Sequence, residues 1–153
     1  MMKVLVASRV RASAIDAAAV RRAAIYVMRQ SGCPEGTELG VLFAGDRAMR
    51  TLNRRYRGVD HDTDVLAFPL ADMGARGRAR LLGDVAISPG RARACAKSLG
   101  TTAGAELLLY LVHGILHLCG YADGAPRLRA KMERRQRLLV AAILRKGLWN
   151  VTD

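Results

Sequence analysis

Apolar and polar positions fall along the chain in short blocks whose period switches between two and about 3.6, and those switches predict the order of its elements. Lys3 to Ala7 predicts a first strand. Asp16 to Ser31 then carries Ile15, Ala18, Ala19, Arg22, Ala23, Tyr26 and Val27 at helical spacing, and Gly32 and Pro34 end that helix. Glu38 to Ala44 reads as a strand, after which Asp46 is placed to cap a helix whose inward side is Met49, Leu52 and Asn53. Gly58 to Thr63 is a polar loop, and the run Val65 to Phe68 with its terminator Pro69 predicts an edge strand. Ala71 to Arg80 has no periodicity and predicts a mobile basic loop. Leu82 to Ile87 predicts another strand, Ser88 a cap, and Pro89 the first turn of a helix running to about Leu99. Gly100 closes it, and Thr101 or Thr102 caps the next. Ala105 to Leu118 is apolar on all sides, the pattern of a central buried helix, with Gly120 as its stop. From Pro126 to about Leu144 a last helix sets Leu128, Met132, Leu139 and Ile143 inward and its basic residues elsewhere.

About four strands and five helices, without regular βαβ alternation, predict an α+β class: a small mixed sheet packed with helices. At 153 residues and 51% apolar content, one domain with a real core is expected, spanning residues 1–146, with 147–153 a tail ordered through Trp149. The longest apolar run, Leu138 to Leu144, is far below the ~20 residues that span a bilayer, and Val4 to Ala7 is too short for an export signal. Cys33, Cys95 and Cys119 form no CxxC pair, and an odd, scattered set predicts reduced thiols in a cytoplasmic protein. Cys33 and Cys95 are expected as small buried apolar residues.

Charge changes the picture most. Twenty-five Lys and Arg against thirteen Asp and Glu give +12, a surplus that points to a polyanionic partner. Four tyrosines, two phenylalanines and one tryptophan are too few for a broad base-stacking platform, so charge has to hold the nucleic acid. Arg54 and Arg55 on the second helix, and Arg76 and Arg78 in the basic loop, are candidate RNA contacts, with a solvated face as the alternative.

His113 and His117 stand four apart in the buried helix, so their rings leave one face a turn apart, a geometry that grips one metal ion. Two hydrogen-bonded core histidines would give the same spacing. Gly120 breaks the helix just beyond them, and Asp123 can swing back as a third ligand, leaving a position open for water. The zincin motif carries a glutamate after its first histidine, where this chain has Gly114. A metalloprotease reading therefore lacks its base. Gly114 is expected to leave open space beside the metal and to spare a phosphodiester a repelling charge.

The stretch His113-Gly-Ile-Leu-His117-Leu-Cys-Gly120-Tyr121 resembles the HGxLHLxGYDH signature of the YbeY family of bacterial rRNA maturation endoribonucleases. Leu52 to Asp60 with Thr63 to Pro69 is similar to its LNxxYR and TDVLSFP elements, and Leu82 to Ser88 to its LGDIVIS strand. The resemblance covers about residues 38 to 144. It implies a metal-dependent, single-strand-specific endoribonuclease of 16S rRNA 3′-end maturation and ribosome quality control. The implied partners are single-stranded RNA, rRNA, the small ribosomal subunit and a ribosomal protein or assembly GTPase, with no DNA and no membrane. It further implies one zinc on His113 and His117, and Arg57 as the functional arginine that fixes the scissile phosphate or stabilises its developing charge.

The chain departs from the signature at its end: Tyr121-Ala122-Asp123 stands where the family has Tyr-Asp-His, so Asp123 occupies the third ligand position. Carboxylate oxygen is an acceptable zinc ligand, but its charge weakens the Lewis acid and leaves other divalent metals open. The alternative function is a ribosome-assembly factor that binds RNA and cleaves poorly because of Asp123. Asp62 replaces the proline before the Thr-Asp element, and neighbouring His61 reads as a solvated loop residue. Asp64 and Asp84 read as structural carboxylates at strand boundaries. Tyr121 either plugs the core or stacks on a base.

Overall fold

The computed structural model describes residues 1–11, 15–70 and 81–151. Over these the elements run β1 (Lys3–Ser8), α1 (Ala17–Gln30), β2 (Glu38–Phe43), α2 (Asp46–Arg57), β3 (Val65–Pro69), β4 (Leu81–Ile87), α3 (Pro89–Leu99), α4 (Ala103–Leu118) and α5 (Pro126–Arg145). The predicted loop that carries Arg76 and Arg78 lies outside the described residues.

The α+β class holds, with four strands in the order β1-β2-β4-β3. β1, β2 and β4 are parallel, and β3 runs antiparallel to β4. A parallel β1–β2 pair needs a crossover, which α1 supplies. β3 ends on Pro69 at the sheet edge, where the missing N–H costs no ladder bond. On β2 the alternation is plain: Leu39, Val41 and Phe43 are buried towards α1, α4 and α5. On the other face α2 contributes Met49 to a smaller cluster with Ala44, Leu66 and Ala86. Tyr56 of α2 meets Phe68 of β3 edge to face, centroids 5.0 Å apart.

α4 is the central helix, packed against α1, α3, α5, β3 and β4. Leu108, Leu111, Val112, Ile115 and Leu116 are buried around it. Gly114 corrects one expectation. A Cβ there would stand 2.5 Å from Val85 Cγ1 and 3.2 Å from Val65 Cγ2. The glycine lets α4 lie close on β3 and β4; it does not leave a gap.

Other expectations change too. The N-cap of α2 is Gly45, with no side-chain cap bond. Asp46 sits in the first turn, where the helix dipole favours it, and accepts from Ser88 Oγ at 2.8 Å. Its carboxylate thus ties α2 to the start of α3, a partner 42 residues away that local sequence cannot reveal. Leu128 is 43% exposed, because the first turn of α5 projects past the core that Met132 enters. Asp84 lies inside β4, exposed opposite Gly40, and not at a strand boundary. Cys33 and Cys95 are half-buried rather than fully buried. Thr102 is the cap of α4, accepting from Ala105 N–H at 3.1 Å. Trp149 is buried and donates to the Gly104 carbonyl at 3.1 Å, which ties this residue to α4.

Candidate metal centre

α4 places His113 and His117 one turn apart on the side that faces β3, and their Nε2 atoms come within 3.1 Å of each other. Each ring is oriented from behind. His113 Nδ1 lies 2.9 Å from Gln136 Oε1 of α5. His117 Nδ1 lies 3.1 Å from the Tyr121 carbonyl. With an oxygen beside each Nδ1, the tautomer that donates its proton there turns the lone pair of each Nε2 to the same point.

The helix stop makes the second contact. Gly120 has φ +101°, a conformation glycine adopts without Cβ strain. Its N–H donates to the His117 carbonyl at 3.1 Å, and the Tyr121 N–H to the Leu116 carbonyl at 3.0 Å. This is the Schellman pattern, and it folds Tyr121 back over the last turn with its carbonyl against His117. Tyr121 packs on the core cluster, the plug of the two readings, with Lys131 Nζ 5.9 Å from its ring centre.

Asp123, from the α4–α5 connection, completes the group. Its Oδ2 is 3.4 Å from His117 Nε2 and 3.9 Å from His113 Nε2. Ligand atoms about 2.0–2.1 Å from a tetrahedral zinc are separated by roughly 3.3 Å, so these spacings suit one ion. Two lone pairs and a carboxylate at one point also form a donor set that a cation satisfies. Cys119, next in the chain, is not part of the group. Its thiol meets Cys33 Sγ at 3.9 Å, and that contact, with burial, pushes its pKa up.

The three side chains line a cleft of about 430 Å³ together with Gly114, Leu118 and β3 from Val65 to Ala67. Arg57, at the last turn of α2, lines the same cleft. Asp64 lines it but accepts from the Val65 N–H at 2.8 Å, the structural role expected. Arg54 and Arg55 are exposed on α2, and Arg54 lies 4.0 Å from Asp60. Arg50 holds Asp60 more closely, at 2.9 Å, and that hydrogen bond lowers the Asp60 pKa. His61 is exposed, as expected, with Nδ1 2.8 Å from the Asp62 carbonyl. Gln136 was missed by sequence reasoning. Its signal was a polar residue at helical spacing between the inward Met132 and Leu139.

A family model described as Endoribonuclease YbeY matches residues 7–144. A protein of Anaeromyxobacter dehalogenans named Endoribonuclease YbeY is 47% identical over 119 residues, 74% of this chain and 61% of that protein. Proteins of the same name from Chloroflexus aurantiacus and Geobacter metallireducens are 41% and 36% identical. The first match covers 79% of this chain and 82% of the relative, the second 96% and 99%. The chain spans about three-fifths of the length of the Anaeromyxobacter relatives. The solution structure of TM1509 from Thermotoga maritima shares the fold, with a TM-score of 0.64 and 22% identity over 94% of this chain and 91% of that one.

Proposed function

This chain belongs to the YbeY family, and from that premise we propose that it is a metal-dependent, single-strand-specific endoribonuclease acting in 16S rRNA 3′-end maturation and ribosome quality control in the cytoplasm. The observation that carries the reading is the meeting in one cleft of a three-ligand cluster and Arg57, which has no ion-pair partner among the described residues, in a protein of charge +12.

His113, His117 and Asp123 hold one zinc, or another divalent ion that the carboxylate suits. A metal bound there supplies Lewis acidity towards water and the phosphate. Arg57 lines the same cleft, so a phosphodiester bound there is oriented by charge-assisted hydrogen bonds that strengthen as negative charge builds. A single strand enters with its backbone exposed, whereas a duplex presents a broad cylinder. The nucleophile is water or the RNA 2′-hydroxyl, and a 2′,3′-cyclic phosphate on the product identifies the latter. The basic faces of α2 and α5 approach the rRNA of the small subunit, where a ribosomal protein or assembly GTPase is the protein partner.

The test compares cleavage of single-stranded and duplex RNA by the wild type and Arg57→Ala, with and without chelator. Single-strand cutting lost with chelator, and reduced about a hundredfold or more in Arg57→Ala with metal content unchanged, supports the reading. Chelator-insensitive cutting contradicts it. The charge of Asp123, in place of a neutral ligand, favours a second reading: an RNA-binding assembly factor of weak activity. On that reading Asp123→His raises the cleavage rate; on the first it does not.

A further inference from the structure

We propose that Gln136 of α5 is a positioning residue of the metal centre: its side-chain carbonyl fixes His113 in the tautomer and orientation that ligate, and so sets the metal affinity. The inference rests on the proposed metal site.

The inward stripe of α5 runs Met132, Gln136, Leu139, Ile143, at spacings of four, three and four. Three members are buried apolar side chains in the main core, and the fourth is a half-buried amide. An amide in such a stripe loses hydration and is tolerated only with a partner. The partner is His113 Nδ1, 2.9 Å away and 23 residues distant in sequence. An imidazole that gives its Nδ1 proton to an oxygen acceptor presents Nε2 to a metal, and such outer contacts also raise ligand basicity. His117 has the same support from the Tyr121 backbone, which no substitution at residue 121 removes. The two ligands therefore differ: the support of one is built into the helix stop, and that of the other is a side chain carried on another helix.

Gln136 is neutral. Its carbonyl orients the ring without adding charge, and Asp123 remains the one anion of the ligand group. A glutamate at 136 keeps the acceptor and adds a charge, whereas leucine keeps the volume and removes the acceptor.

The experiment measures zinc affinity by competition with a chromophoric chelator for the wild type, Gln136→Leu and Gln136→Glu, with long-range proton–nitrogen NMR of the imidazoles in the zinc-loaded protein. The expected result is a loss of about 10- to 100-fold in Gln136→Leu, affinity at or above wild type in Gln136→Glu, and His113 protonated at Nδ1 in the wild type. Thermal melting of the metal-free proteins separates this from unfolding, and the NMR result stands on the wild type alone. Unchanged affinity in Gln136→Leu, equal losses in both variants, or His113 protonated at Nε2 in the loaded wild type overturns the proposal while leaving the metal site intact. A wild type that binds no zinc overturns the site and this inference together.

Discussion

His113 and His117 are carried by the most buried helix of the molecule, whereas Asp123 comes from the connection after it and has a side chain 49% exposed. The imidazoles are aimed before any ion arrives: α4 fixes their spacing, and Gln136 and the Tyr121 carbonyl fix their rings. Apart from its distances to the two rings, the Asp123 carboxylate has no hydrogen-bond or ion-pair partner among the described residues, where a 3.4 Å contact runs from Arg129 to its backbone carbonyl. A site of this kind stores two ligands in the fold and leaves the third to a segment free to differ.

Substitutions separate the two halves. The largest effect belongs to the helix: His117→Ala removes a preset donor, so stoichiometric zinc binding and RNA cleavage are both lost. Its ring is only part-buried, so the melting temperature of the metal-free protein stays close to wild type. Elemental analysis and a melting curve check both.

Next is Gly114→Ala, which forces α4 away from Val85. Overpacking of this kind costs about 1–3 kcal/mol, read from denaturant unfolding, and cleavage falls with it because both rings move. Gly120→Ala works on the stop. Nothing lies within 4 Å of its Cβ, so the cost is the strain of a positive φ, roughly 1–2 kcal/mol, with a weakened hold on His117 through Tyr121. If Gly120→Ala left zinc affinity untouched while destabilising the fold, the link from helix stop to ligand would be broken.

The smallest effect lies outside the cluster, where Arg50 and Asp60 pin the loop after α2 beside Arg57. The Arg50 hydrogen bond, then its charge, lowers the Asp60 pKa from its ordinary 3.8. A lowered carboxylate pKa stabilises the fold above the unfolded value, and the gain is lost as pH falls through the folded one. Asp60→Asn should therefore lie slightly below wild type in stability at pH 7 and converge with it in acid below 3.8. Both side chains are exposed, so the difference is small and shrinks further with salt.

What the chain itself disclosed follows the same division between local and distant causes. The α4 histidines, the Gly120 stop, the edge strand ending at Pro69 and the Thr102 cap are all written in adjacent residues, where period and cap chemistry act. Asp46 was misread because its partner, Ser88, starts another helix. Leu128 was misread because helical spacing does not say where along α5 the core begins. Gly114 reads as open space, and only the position of Val85 makes it a point of close packing. Gln136 stayed hidden among basic neighbours, since the ring it supports is reached only after α5 folds back on α4.

The most direct test of the central claim is metal content, measured by elemental analysis of wild type and His117→Ala purified without chelators and then dialysed after zinc loading. One zinc per wild-type chain and none in the variant is the predicted result. A wild type that retains no metal, or a variant that retains as much as the wild type, would contradict it.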